Sequence, residues 1–250
     1  MRSWITSPVI SIAIALGLAA GQASAQGNTF RYAEQVKLIT MDPQRQSGSG
    51  VPYLRPVYES LFEVSPQGAP TPLLATGYKI DGLRVTITLR QGVTFSNGEA
   101  FNADVAAANI NRGVKLGIIE GLQTVAGAEK VDDHTFVIIL KEPDPAIIDS
   151  LCFTAGMMIA PAAMSDPAIG RNPIGTGPYV HSKADSREGE VQVYTPNPTY
   201  WDKEKIGLAR YEVWEMPDDT ARLNALKTGQ IDAGNWLANP QSAIIDRSAD

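Results

Sequence analysis

The constraint that acts first on this chain is a single cysteine behind an export-type leader. Residues 1–25 open with a positive charge at Arg2, run without charge from Pro8 to Ala20, and end in Ala23-Ser24-Ala25, small residues at the positions a signal peptidase reads. The apolar run is shorter than the roughly 20 residues a membrane-spanning helix takes. The leader therefore reads as a cleaved secretory signal, with the mature chain starting near Gln26. No cysteine follows the run, so a lipid anchor is not expected and the product should be soluble, in a bacterial periplasm. With Cys152 alone, no disulfide can form within the chain, and an apolar core has to hold the fold unaided. Cys152 itself lies in Leu151-Cys152-Phe153 and reads as a small buried hydrophobe.

Composition supports such a core. Of 250 residues 44% are apolar and 19% charged, a balance suited to one large domain or two small ones. The formal charge of −6 comes from 21 basic and 27 acidic side chains with no long run of either sign. That excludes the dense basic face with which nucleic-acid binders displace counterions.

The pattern along the chain mixes strands and helices. Thr29 to Tyr32 reads as a first strand, Met41-Asp42-Pro43 as a turn and Gln44 to Gly50 as a polar loop. Val57 to Phe62 is expected to be a helix packed through Val57 and Leu61. Val85, Ile87 and Leu89 alternate with Thr86 and Thr88, the period of a half-buried strand. Asn102 caps a predicted helix over Ala103 to Arg112, with Asp104 in its first turn. Thr135 to Lys141 reads as another strand, giving a small unit of two strands around a helix. Val191 to Tyr194 and Arg210 to Met216 read as strands, Thr220 to Thr228 as a helix closed by Gly229, and Ile231 to Ala233 as the start of a further strand.

Catalytic patterns find little footing. His134 and His181 are far apart, without a cysteine cluster or an H-x-x-x-H pair, so no metal site and no cofactor is expected. There is no G-x-S-x-G elbow, no phosphate loop and no singled-out carboxylate pair. Ser47-Gly48-Ser49-Gly50 fits an anion-holding nest and a flexible polar loop equally well. Gly175-Thr176-Gly177 lacks the third glycine of a dinucleotide fingerprint.

Seven segments, in order, carry a resemblance. They are Met41-Asp42-Pro43; Tyr58-Glu59-Ser60-Leu61-Phe62; Pro72-Leu73-Leu74-Ala75; Leu89 to Phe101 with Ala103-Asp104-Val105; Pro173-Ile174-Gly175-Thr176-Gly177-Pro178-Tyr179; Asn197-Pro198-Thr199-Tyr200-Trp201; and Leu226 to Asp232. Together they resemble the dipeptide-, oligopeptide- and nickel-binding proteins of ABC importers, extracellular solute-binding family 5. The resemblance covers nearly all of the mature chain but about half of a typical member.

It implies an α/β, periplasmic binding protein-like fold, bilobal in the family, with an extra inserted domain. On that pattern 1–25 is the signal, 26–62 and 163–234 form lobe I, 63–162 is a small α/β insert, and 235–250 begins a lobe II otherwise missing here. Ligand would lie between the lobes, with Ser47, Ser49, Val51 and Tyr53 on one wall, Asn235 and Trp236 near the hinge, and Met157 at the start of a segment facing the cleft. That segment lacks the basic residue, and Val51 replaces the methionine, of nickel-binding relatives. A peptide or other small organic solute is thus favoured over a nickel chelate.

The resemblance further implies a monomer, not an enzyme, that hands its solute to an inner-membrane permease. Two alternatives stand beside it: a secreted hydrolase with catalytic residues in the missing half, and a periplasmic chaperone or receptor on the same fold. Gly92, Gly98, Gly175 and Gly177 are read as turn or close-packing residues, and Tyr200 and Trp201 as core or domain-junction aromatics.

Overall fold

The computed structural model describes residues 28–46 and 50–235. The leader, Ser47, Ser49, Trp236 and the rest of 236–250 lie outside these residues. Three sheets organise the described chain. The first has the order β11-β1-β10-β9-β8 and is built from β1 (Thr29–Glu34), β8 (Tyr179–His181), β9 (Val191–Pro196), β10 (Arg210–Glu215) and β11 (Ala233–Gly234). β1 runs parallel to both β10 and β11, and the pairs β10–β9 and β9–β8 are antiparallel. A two-stranded antiparallel ribbon joins β2 (Phe62–Val64) to β3 (Pro70–Pro72). The third sheet is wholly antiparallel, in the order β4-β5-β7-β6: β4 (Ala75–Asp81), β5 (Arg84–Leu89), β6 (Val125–Asp132) and β7 (Thr135–Leu140). Five helices accompany them: α1 (Val51–Leu54), α2 (Ala103–Leu116), α3 (Ile147–Ser150), α4 (Pro161–Met164) and α5 (Asp219–Lys227).

Local rules account for the regular elements. On β5 the buried residues are Val85, Ile87 and Leu89, as the alternation predicts. Asn102 caps α2 by accepting the Val105 N–H at 3.1 Å, and Gly117, at φ 71°, ends the helix four residues beyond the predicted stop. Asp218 caps α5 in the same way through Ala221 N–H at 2.7 Å.

Two expectations are corrected. The unit around α2 has four strands rather than two. β4 and β6 escape the pattern because they are sheet edges, where Tyr78, Ile80 and Val131 remain exposed and no clean alternation of burial develops. Nor is Val57–Phe62 a helix. The helical turn lies earlier, at α1, and the Tyr58-Glu59-Ser60 stretch runs extended into β2. The reason is competition for backbone groups. The Val57 carbonyl accepts from Gly177 N–H at 2.8 Å, the Pro56 carbonyl from Tyr179 N–H at 2.9 Å, and Leu61 N–H goes to the Gly156 carbonyl at 3.0 Å. Groups bonded to distant segments cannot also close i→i−4 rings.

That exchange explains Gly175 and Gly177. A Cβ on Gly175 would collide with the Val57 carbonyl oxygen, and one on Gly177 with the Pro56 and Val57 backbone. Between the two larger sheets lies a strap, Met157–Ala160, all of it at most 1% exposed. Met158 N–H donates to the Glu59 carbonyl at 3.0 Å, while the buried Asn109 amide both accepts from Ile159 N–H (2.9 Å) and donates to the Ile159 carbonyl (3.0 Å). Asn109 is thus fully engaged and joins α2 to the strap at no desolvation loss. One buried apolar cluster runs through the strap, from Val85, Ile87 and Phe136 on one side to Tyr179, Tyr194 and Val213 on the other.

Glu59 is the charged group enclosed in this junction. Only 5% exposed, it accepts the Tyr200 hydroxyl at 2.7 Å and the Trp201 indole N–H at 3.0 Å. Trp201 in turn lies under the Arg90 guanidinium, 4.3 Å from the ring centroid. Two of the seven motif segments therefore meet at one carboxylate and a third joins them through Arg90 over Trp201, and Tyr200 and Trp201 are the junction aromatics that the sequence suggests. Desolvation raises the Glu59 pKa above the usual carboxylate value, while the Trp201 and Tyr200 hydrogen bonds pull it back.

Two outcomes follow for stability. Gly175→Ala should cost about 2 kcal/mol in denaturant unfolding, whereas Gly207→Ala, with open space around it, should stay within about 0.5 kcal/mol; equal costs would refute the close-packing role. The folded-state pKa of Glu59 is raised, so the protonated form favours the fold. Its contribution is complete below the unfolded-state pKa and is lost as pH rises through the folded-state value. Urea midpoints of the wild type should accordingly fall relative to Glu59→Gln as pH is raised from the ordinary carboxylate value. Parallel pH profiles would show that burial does not act on Glu59.

Candidate functional site

The segment leaving β1 is held by a buried acid. Asp42, 1% exposed, takes a bidentate hold from Arg112 of α2, with Nη2 to Oδ2 at 2.6 Å and Nη1 to Oδ1 at 3.1 Å. Its Oδ1 also accepts Gln44 N–H at 3.0 Å, and its carbonyl accepts the Arg45 and Gln46 N–H groups at 3.0 Å each. The Met41-Asp42-Pro43 turn is thereby locked to α2, the helix on the four-stranded sheet. Gln44 continues the link: it donates to the Asn109 carbonyl at 2.8 Å and accepts from Arg112 at 2.7 Å. Gln46 Oε1 accepts the Thr40 N–H at 3.1 Å.

Gln44 and Gln46, held by these bonds, line a cleft of about 660 Å³. One wall comes from Gln44, Arg45, Gln46 and Val51; the other from Ile118 to Gly121, after α2, and from Ser150, Phe153 and Thr154. Ile118 is 62% and Phe153 46% exposed, so an apolar rim stands over a polar floor. Such a combination, apolar contact area with a few oriented polar groups, suits a small organic ligand. The nearby ends of β1, β10 and β11 add a second feature. In open α/β sheets ligands sit outside the carboxyl ends of parallel strands, and here those ends carry Glu34, Glu215 and Gly234.

The residues expected at the site fall differently. Val51 is half-buried and lines the cleft. Asn235 is half-buried at the β11 exit: its side chain donates to Glu34 Oε1 at 2.5 Å and accepts the Gln35 N–H at 3.2 Å. Tyr53 is 1% exposed, and its hydroxyl donates to the Val36 carbonyl at 2.8 Å. Burial pushes that phenol's pKa well above its ordinary value, so it remains a neutral donor. Tyr53 and Asn235 thus meet at Glu34–Val36, but Tyr53 has no aromatic face to offer. Met157, also 1% exposed, belongs to the core strap, bridged to Ser60, and does not line this cleft. Their burial has one cause, since the apolar core extends across the junction these residues occupy. Ser47, Ser49 and Trp236 lie outside the described residues.

Sequence reasoning passed over Gln44, Arg45 and Gln46, although they stood in the polar loop it marked. Ile118, Glu120 and Phe153 had no signal, being far away in the chain. His181 is occupied, with Nε2 2.9 Å from Gln192 Oε1 and 3.0 Å from Ser186 Oγ, and desolvation lowers its pKa. Cys152 is fully buried, and burial pushes its thiol up to about 11. Among the described residues no group of three or more His, Cys, Asp or Glu could hold a metal ion, and no helix is long and apolar enough to cross a membrane.

Residues 69–249, more than half of the chain, match the family described as Bacterial extracellular solute-binding proteins, family 5 Middle. The chain belongs to this family. Among its relatives, the glutathione-binding protein GsiB of Salmonella typhi is 32% identical over 212 residues, covering 76% of this chain and 38% of the relative. The family member described here thus spans well under two thirds of that protein's length. Two solved structures share its fold. OppA of Burkholderia pseudomallei superposes with a TM-score of 0.79 at 18% identity, covering 89% of this chain and 49% of the other. NikZ of Campylobacter jejuni, in complex with Ni(L-His), does so with 0.72 at 24%, covering 81% and 42%. The fold is therefore that of the periplasmic binding proteins of family 5.

The Asp42–Arg112 pair is the site's mechanical support. Arg112→Met would leave a buried carboxylate held by the Gln44 N–H at 3.0 Å and by Arg45 at 3.6 Å. It should cost about 3 kcal/mol in denaturant unfolding; a loss below about 1 kcal/mol would show that the pair does not hold the cleft floor.

Proposed function

We propose that this chain supplies one wall of the ligand cleft of a periplasmic solute-binding protein, which captures a peptide or similar small organic solute for an ABC permease. The observation that carries the reading is the cleft itself, a polar floor under an apolar rim between the loop after β1 and the α2 exit, in a chain of a solute-binding family. Within it, residues 26–62 and 163–234 form lobe I and 63–162 the insert. In favour of that division, the five-stranded sheet draws its strands only from 29–34 and 179–234, and the four-stranded sheet only from 75–140. Lobe II would begin near Asn235, where the chain leaves β11. The leader favours export to the periplasm. Val51 and Asn235, with Ser47, Ser49 and Trp236, are the proposed ligand-facing residues of this wall.

The mechanism is hinge closure. A second wall closing on a bound solute excludes water and adds contacts, and the closed form is favoured only by the extra affinity it gives. The protein binds and delivers its solute without turning it over. The glutathione recognised by a relative makes a thiol tripeptide the first solute to try.

One wall leaves a ligand half-solvated, so this chain alone should bind weakly. In NMR titrations with glutathione, alanyl-alanine and a nickel–histidine chelate, shifts from the peptides should centre on Gln44, Val51 and Ile118. Shifts centred elsewhere for every compound would overturn the cleft assignment. Calorimetry at micromolar concentration should show no saturable heat; tight binding there would mean that the site is complete within this chain.

A further inference from the structure

We infer that the chain carries a second small-molecule site, apart from the cleft. There the Gln192 carboxamide donates to the carbonyl oxygen of a small uncharged amide that bears a short apolar group. The site is a cavity of about 270 Å³ between the loop after β1 and the β8–β9 hairpin, and it shares no lining residue with the cleft. Leu38, Ile39 and Met41 give it an apolar side, and His181, Ser186 and Gln192 a polar one. Both sides are fixed by backbone bonds. Met41 N–H donates to the Gly170 carbonyl at 2.9 Å, and Ser182 N–H, in the hairpin, donates to the Val193 carbonyl at 2.8 Å.

The hydrogen bonds of the hairpin decide which way Gln192 points. Ser186 has one hydroxyl proton, which goes to the Ser182 carbonyl at 2.7 Å, while its oxygen accepts Val193 N–H at 2.9 Å. Toward His181, at 3.0 Å, Ser186 can then only accept. The imidazole therefore carries its proton on Nε2 and shares it with Gln192 Oε1 at 2.9 Å. Burial lowers the His181 pKa, in keeping with that neutral tautomer. Gln192 is 8% exposed, and with its oxygen turned to His181 its amide N–H donors have no partner among the described residues. An enclosed donor without an acceptor is costly. The space open to this one is the cavity that Gln192 lines.

Charge selects the ligand. The buried polar side is neutral, and Lys183 on the rim is exposed to water, so a carboxylate would be desolvated against a carboxamide alone. An amide oxygen loses far less in the same exchange. An ammonium would meet Lys183 and Arg171 on the rim, where Glu188 is already paired with Arg171 at 3.2 Å. Ile39, 77% exposed, has apolar surface to be covered by the rest of the ligand.

The test is an NMR titration of the chain with isovaleramide, isovalerate and isoamylamine, which share one carbon skeleton. Isovaleramide should shift the Gly170, His181 and Gln192 backbone signals and bind about tenfold more tightly than either charged compound. Gln192→Met, which keeps the side-chain length and removes the donors, should weaken it about tenfold. Ile39→Ser should weaken it about fourfold, the scale of one buried methylene; this position is exposed, so that variant should fold whatever Gln192→Met does. Isovaleramide shifts centred on Gln44, Val51 and Ile118, or no saturable shift at millimolar concentration, would overturn the site. So would equal or tighter binding of either charged compound, or an isovaleramide affinity unchanged in either folded variant. Because the two cavities share no residue, failure here leaves the cleft reading standing.

Discussion

The Glu59 carboxylate, closed off from water between the sheets, is the interaction on which the remaining architecture depends. A buried acid is costly unless its oxygens are met by donors. Tyr200 and Trp201 meet them, and each comes from the far end of the chain. The requirement is mutual. Tyr200 and Trp201 have polar tips that must also be satisfied when their rings are buried, so the loop at 197–201 has one place to go. Arg90, stacked on Trp201, brings the end of β5 in the four-stranded sheet to the same point. Because the backbone around Glu59 is simultaneously bonded to Gly156, Gly177 and Tyr179 through its neighbours, the polar contact and the close glycine packing reinforce each other.

The cleft inherits its shape from a second buried acid. Asp42 plays toward α2 the part that Glu59 plays toward the 197–201 loop, and its hold on Arg112 fixes the loop after β1 against the helix of the other sheet. The walls of the cleft therefore belong to segments about 70 residues apart in sequence, yet they are joined rigidly through Gln44, Asn109 and the core strap. A ligand surface built this way is preorganised on one side. In the closure proposed above, the covering wall is assigned to residues beyond Asn235, whose side chain is tied to Glu34 where the chain leaves β11.

Much of the fold was legible in the chain itself. The alternation at Val85–Leu89, the cap at Asn102, the helix after Asp218 and the turn glycines each rest on contacts within a few residues, and each appears where the local rule places it. The Val57–Phe62 helix and the edge strands β4 and β6 failed for a shared reason. Their backbone partners or their exposure are set by segments far away, and no local window contains that information. The site divides the same way. The polar loop at 44–50 was marked, and Val51 lines the cleft, while Tyr53 and Met157 went to the core.

By itself the sequence determined the α/β pattern and the family, and set the expectation of an exported chain without disulfides, because these depend on composition, short-range periodicity and ordered motifs. Only the tertiary structure decided which motif residues are buried architecture and which stay at the surface. Glu59, Tyr200 and Trp201 satisfy one another inside, whereas the Arg45 side chain stays more than half exposed. That distinction turns on whether a polar group's partners are already supplied, and partners separated by 70 to 140 residues meet only once the chain has folded.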